Sequence, residues 1–221
     1  MHFNVKKNEL TIDLGAPPIT ADTYEYDYRV HHAAFTSVLS TLLTTYKLGT
    51  YQPVLAKSWE ASTDYKTWTF HLRDDLTFSN GDLISPQIVL SSLKRMALLQ
   101  KKNESHSGLF EHLVGVEKLV DLTSELPGLI LKGNDLVITF NSPVDDLLAK
   151  ISFGLYGIVH PNNYDQKDGH WISAKEIISS GGYKVDSWSD KEIILSLRND
   201  FKTGLSYPHR AQNIKMIWKE S

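Results

Sequence analysis

Between Thr67 and Met96 the hydrophobic period of the chain changes from two to about 3.6, and that change constrains everything around it. Trp68, Phe70 and Leu72 alternate with Thr67, Thr69 and His71, the pattern of a strand with one face on a core. Ser79-Asn80-Gly81-Asp82 then supplies a turn, because Asn80 and Gly81 tolerate positive φ. Ser85 suits a helix N-cap, and Pro86 suits the first helical position, where its missing N–H costs nothing. Val89, Leu93 and Met96 mark the buried face of this helix, and Lys94 and Arg95 are expected to point to solvent. Asp74 and Asp75 interrupt the alternation and read as a solvated break between elements.

The same kinds of signal recur elsewhere. Asn8 to Gly15 reads as a strand stopped by Pro17 and Pro18, which lack the N–H a ladder needs. Phe35, Val38, Leu39, Leu42, Leu43 and Tyr46 recur at spacings of three and four, predicting a helix from His31 to Leu48 with Gly49 as its C-terminal cap. Residues 109–120 read as a short helix, and 129–140 as a hairpin around Lys132-Gly133-Asn134-Asp135. Ser142-Pro143 repeats the helix start, with Asp145 and Asp146 near the positive end of the dipole. A second hairpin turns at Ser189-Asp190-Lys191, and residues 213–221 read as a further strand. Tyr24, Tyr26 and Tyr28 share one face if their segment is extended, either as a recognition row or as aromatics of an irregular loop. Many strands mixed irregularly with a few helices predict a mixed α/β, α+β chain rather than strict βαβ winding.

Composition narrows the function classes. The formal net charge is −3 and charged residues make up 22%, so there is no basic footprint for nucleic acid. There is no cysteine, which excludes disulfides, zinc thiolates and cysteine nucleophiles. No apolar run approaches the roughly 20 residues of a membrane span, and no apolar stretch follows Lys6 and Lys7 as a signal peptide requires.

No constellation for catalysis emerges. G-x-S-x-G, Walker A, G-x-G-x-x-G and H-E-x-x-H motifs are all absent. His31 and His32 would point about 100° apart on a helix, a poor metal pair, and Glu111-His112 with Glu117 offers two ligands at best. Asp74 and Asp75 diverge, whereas a carboxylate mechanism needs convergent groups with separated pKa values. The expectation is no enzyme, no catalytic residue, no metal and no cofactor.

Four linked elements carry a resemblance: Pro53-Val54-Leu55-Ala56-Lys57-Ser58-Trp59, Thr67-Trp68-Thr69-Phe70-His71-Leu72-Arg73, Phe78-Ser79-Asn80-Gly81, and Ser92-Leu93-Lys94-Arg95. In that order they resemble the extracellular solute-binding protein family 5, the oligopeptide-, dipeptide- and nickel-binding proteins of ABC importers. Residues 8–20, 134–152 and 179–201 agree, although Ser180-Gly181-Gly182-Tyr183 lacks the proline usual before the tyrosine.

The resemblance implies the first lobe of a periplasmic-binding-protein-like (type II) fold, built from residues 1–50 and 150–221. An α+β subdomain, residues 51–149, would be inserted in it, and the second lobe of the family is absent from this chain. The implied partners are a peptide or similar small solute and an ABC permease in the membrane, with no nucleic acid and a monomeric chain. The implied location is periplasmic or extracellular. The carried-over ligand contacts are His31, His32, Ser107, Phe110 and Tyr183. The solute-sensing domain of a transcriptional regulator is the alternative role.

Overall fold

The computed structural model describes residues 8–22, 24, 30, 34–102, 108–203 and 210–218, with backbone alone for residues 2–6. Two sheets dominate. The first is built from β1 (His2–Lys6), β2 (Glu9–Asp13), β9 (Tyr183–Trp188), β10 (Glu192–Leu197) and β11 (Asn213–Ile217). Their order is β1-β2-β11-β10-β9, antiparallel except where β11 runs parallel to β2. The two ends of the described chain therefore meet at the middle of one sheet. On its core face Leu10 lies opposite Ile214 and Ile12 opposite Met216. Met216 in turn faces Ile193, and Ile214 faces Leu195. The alternation of these residues along each strand puts them all on one side.

The second sheet has the order β5-β6-β8-β7, wholly antiparallel, from β5 (Ala56–Ala61), β6 (Thr67–Leu72), β7 (Leu129–Lys132) and β8 (Asp135–Thr139). The alternation read in β6 holds: Trp68, Phe70 and Leu72 are buried and their neighbours are partly exposed. Helix α1 (Pro86–Lys102) packs over β7 and β8. Its start is as expected, with the Ser85 hydroxyl accepting the Ile88 N–H at 3.3 Å. Gly133 takes φ +64° in the β7–β8 turn, a conformation that favours glycine. The hairpin at Ser189 is also found, closed by the Ser189 N–H donating to the Glu192 carbonyl.

Several expectations are corrected. The apolar stripe from Phe35 to Leu43 is buried as predicted, but the chain is not helical across it. It turns at residues 36–39 and then forms β3 (Leu43–Lys47), which pairs with β4 (Thr50–Pro53). The run Thr44-Thr45-Tyr46 favours a strand, because β-branched and aromatic side chains sit well on a pleated surface. Gly49 does take positive φ, +77°, but as the tip of this hairpin rather than as a helix cap. Tyr46 is exposed rather than part of the stripe. Residues 109–118 form two 3-10 turns, Leu109–His112 and Val116–Lys118, not one helix.

Helix α2 covers only Leu147–Ile151, with Asp146 preceding it. The expected start at Ser142-Pro143 is pre-empted because Val144 bonds both ways to the neighbouring chain. Its N–H donates to the Tyr65 carbonyl and its carbonyl accepts the Trp68 indole N–H. Lys94 and Arg95 also turn inward. Lys94 caps the Leu122 and Ser124 carbonyls, and Arg95 is 1% exposed.

The buried apolar residues fall into two clusters. One lies wholly between Leu42 and Ile158, around α1 and the four-stranded sheet. The other combines Ile12 to Leu39 with Val159 to Trp218, around the five-stranded sheet. A buried ion pair joins the halves: the Arg95 guanidinium reaches Asp22, donates to the Gly169 carbonyl at 2.7 Å, and lies over the rings of Tyr164 and Trp171.

Candidate functional site

An open cavity of about 380 Å³ lies where the turn at residues 36–41 meets the start of β9 and residues Phe201, Thr203, Arg210 and Ala211. Beside it the backbones of residues 37–38 and 181–183 approach closely. A Cβ on Gly181 would sit 2.6 Å from the Ser37 carbonyl oxygen, so only glycine fits there. The Gly181 N–H donates to the Val38 carbonyl at 2.8 Å, and the Tyr183 N–H to the Ser37 carbonyl at 3.1 Å.

Arg198 braces this corner from behind. Its guanidinium donates to the carbonyls of Ser179, Gly181, Thr77 and Phe78, and to the Asp200 carboxylate. Those bonds hold Asp200 below the usual carboxylate range. Phe201, whose ring faces the Arg198 guanidinium at 5.6 Å, forms part of the wall.

Tyr183 stands on that wall and donates its hydroxyl hydrogen to the Ala211 carbonyl at 2.7 Å. Burial raises its pKa, and the charge of Arg210 acts in the opposite direction. Arg210 lines the same cavity. The Ser37 hydroxyl oxygen is buried in the lining and has no hydrogen-bond partner among the described residues.

The cavity does not end there. A second space of about 380 Å³ shares Thr36, Leu39, Thr41 and Thr44 with the first and extends to Ala149, Ser152 and Phe153. A third, of about 500 Å³, shares Ala149 and Phe153 with the second and reaches Glu111 and Lys150. Through these shared residues the three adjoin as one trough, with threonine and serine hydroxyls lining its first two spaces. The Thr45 and Ser152 hydroxyls are 2.9 Å apart across it. At the far end Glu111 lies 3.3 Å from His112, and Lys150 pairs with Asp146 at 2.9 Å.

Of the residues expected from sequence, the structure places Tyr183 on the wall of this trough. Phe110 is fully buried: its ring meets Tyr156 edge-on at 5.7 Å and its N–H donates to the Gln100 side chain. It supports the third space from behind and offers no surface to it. His31, His32 and Ser107 lie outside the described residues, as do Tyr26 and Tyr28. Tyr24 donates its hydroxyl to the Leu99 carbonyl, an anchoring role. Sequence reading missed Arg210 and the hydroxyls of Thr36, Thr41 and Thr44, which fall in the stretch read as a helix from His31 to Leu48.

The adjacent acids Asp74 and Asp75 separate as expected. Asp75 pairs with Arg73, whose N–H bonds hold its carboxyl below the usual range, while Asp74 accepts from the Asn134 amide. Asp165, Asp168 and His170 bring three possible metal-ligand atoms within 4.8 Å of one another on an exposed loop, a cluster that the sequence reading did not single out. No described helix is long and apolar enough to cross a membrane.

Residues 50–217 match the family "Bacterial extracellular solute-binding proteins, family 5 Middle". The periplasmic oligopeptide-binding protein OppA of Haemophilus influenzae is 22% identical over 210 residues, which cover 86% of this chain and 39% of that protein. The nickel-binding periplasmic protein of Escherichia coli is 44% identical over 63 residues, 25% of this chain and 12% of that one. The crystal structure of H. influenzae OppA in complex with RPPGFSPFR superimposes with a TM-score of 0.79 at 20% identity, covering 97% of this chain and 42% of that one. The chain thus spans about two-fifths of the length of that curated relative.

Proposed function

This chain belongs to the bacterial extracellular solute-binding proteins, family 5, and from that premise we propose that it serves as the substrate-binding part of an ABC importer. It binds a peptide or similar small solute against the trough, and a membrane permease receives the cargo. The observation that carries this reading is the continuity of the trough. Three adjoining spaces share lining residues, giving a long open groove rather than a closed pocket. A long groove with hydroxyls along its first two spaces suits an extended chain, whose polar backbone needs partners. An open wall also suits a protein that closes on its ligand by hinge motion, with ligand shifting the population toward the closed form.

Residues 1–50 and 150–221 form the first-lobe segments and 51–149 the inserted subdomain in this reading, supported by the division of the core into two clusters. The place of work is the periplasm, as in the relatives' names, or the outer face of the membrane. Tyr183 contacts the ligand. Native mass spectrometry of the protein with a pool of short peptides tests the reading. A one-to-one peptide complex is expected, and a folded protein that retains no peptide from the pool would overturn it.

A further inference from the structure

We propose that the middle of the trough is a donor-accepting subsite, in which Thr41, Thr45 and Ser152 take an N–H group of the ligand. This rests on the reading of the trough as a solute-binding cleft. The direction of the hydroxyl protons decides it. A carbonyl oxygen can only accept, so the Ser152 hydroxyl, 2.8 Å from the Ala149 carbonyl, commits its one proton there. Helix α2 ends at this point, and the Phe153 N–H turns to the Lys150 carbonyl, which leaves the Ala149 carbonyl to the serine. Thr45 lies 2.9 Å from the same Ser152 oxygen, and with the serine proton committed the threonine must be the donor. The protons thus run one way, from Thr45 to Ser152 to the Ala149 carbonyl. Thr41 commits its proton similarly, to the Leu43 carbonyl at 2.7 Å. All three residues line the second space of the trough.

Lone pairs are what these three hydroxyls have left to offer. The Ser152 N–H does not change this, because it donates to the Leu148 carbonyl at 3.1 Å. In the open trough water supplies the missing donors, since Thr45 is exposed. A ligand lying along the trough displaces that water. Each covered oxygen then needs a donor from the ligand, or stands unsatisfied at a cost. An N–H facing Thr45 or Ser152 extends the chain of bonds, and bonds in series polarise and strengthen one another. A ligand ether, ester or carbonyl oxygen in the same place meets lone pairs instead.

The N–H can come from a peptide bond or from an ammonium group, and analogues of pentaalanine separate the two. These are pentaalanine itself, its N-acetyl form, and the forms in which one peptide N–H at a time is replaced by an ester oxygen. Each is titrated by calorimetry into the protein in the length in which it is expressed. One of these changes is expected to weaken binding about tenfold or more beyond the others. An ester at one position leading identifies a backbone N–H; acetylation leading identifies the ammonium.

Thr45→Val removes the accepting oxygen and is expected to shrink that loss below about threefold, whereas Thr45→Ser keeps the hydroxyl and is expected to retain the loss. Ser152→Ala gives a readout that a merely structural role would not move. It releases the Thr45 proton, so Thr45 can turn and donate, and the loss is expected to shrink although Thr45 is still present. This arm keeps the test valid if Thr45→Val fails to fold. Equal affinity for all the analogues, or a loss that Thr45→Val and Ser152→Ala leave unchanged, overturns the subsite but leaves the peptide-binding reading standing. Binding of none of them overturns both.

Discussion

Arg95 sits in a helix whose sequence pattern assigns it to solvent, yet it is 1% exposed and so is its partner Asp22. Two rings, a backbone carbonyl and a carboxylate enclose the guanidinium, so the charge is buried but fully paired. Removing one member leaves the other stranded, which costs about 3–5 kcal/mol for a buried pair. Arg95→Leu is expected to lower the urea midpoint by that amount of stability, and a change under about 1 kcal/mol would show that the pair contributes little.

Asp200 gives the pH dependence at this scale. Arg198 holds its folded pKa below the unfolded value of about 3.9. A depressed carboxylate contributes stability that is fully present above the unfolded value and is lost as pH falls through the folded one. The effect is small, under about 1 kcal/mol, because the Asp200 side chain is 59% exposed. Asp200→Asn is expected to flatten the acid limb of a stability–pH curve below about pH 4 without changing its neutral plateau by more than that.

Among the elements, β11 has the most consequential position, between β2 and β10 and parallel to the former. Ile214 lies opposite Leu10 on one side and Leu195 on the other, so its backbone has a neighbour on both flanks. Ile214→Pro removes a donor from a central strand and is expected to cost about 3 kcal/mol or more, read as loss of strand signal in far-UV circular dichroism.

How legible such elements were depended on whether local pattern and tertiary demand agreed. They agreed at β6, α1 and both hairpins, where alternation, Ser-Pro starts and turn residues all pointed one way. They disagreed from Phe35 to Lys47, where the burial of Phe35, Val38, Leu39, Leu42 and Leu43 fits a helix but the chain turns to bring residues 36–41 under Gly181. That turn creates the head of the trough, so the site was least legible where the helix pattern failed. Arg210 carries no motif; its position follows from the return of the chain into β11.

At the scale of the whole molecule, the two core clusters are joined by polar contacts as well as by Leu122, which packs against both. Ser79 donates its N–H to the Ser179 carbonyl at 2.8 Å and accepts the Ser179 N–H on its hydroxyl at 2.9 Å. Arg73 donates to the Thr203 carbonyl, and Arg198 to the carbonyls of Thr77 and Phe78. Each bond is modest alone, but deleting Arg198 leaves several buried carbonyls without their donor at about 1–3 kcal/mol each.

The tryptophans divide between the two halves. Trp59 and Trp68 belong to the cluster around α1, and Trp171, Trp188 and Trp218 to the cluster around the five-stranded sheet. Variants retaining tryptophan in one half only therefore report each half separately. With Arg198 present, both reporters are expected to unfold in one coincident urea transition. With Arg198→Ala the half around the five-stranded sheet is expected to lose structure first, since Arg198 belongs to its last hairpin. Coincident transitions in the variant would show that the joint is held by other contacts. The trough crosses this joint, taking Thr44 and Val54 from one side and Gly182 and Tyr183 from the other. The same substitution is therefore expected to weaken the proposed peptide binding at denaturant concentrations too low to unfold either half, because a cleft wall made of two pieces binds only while the pieces stay in register.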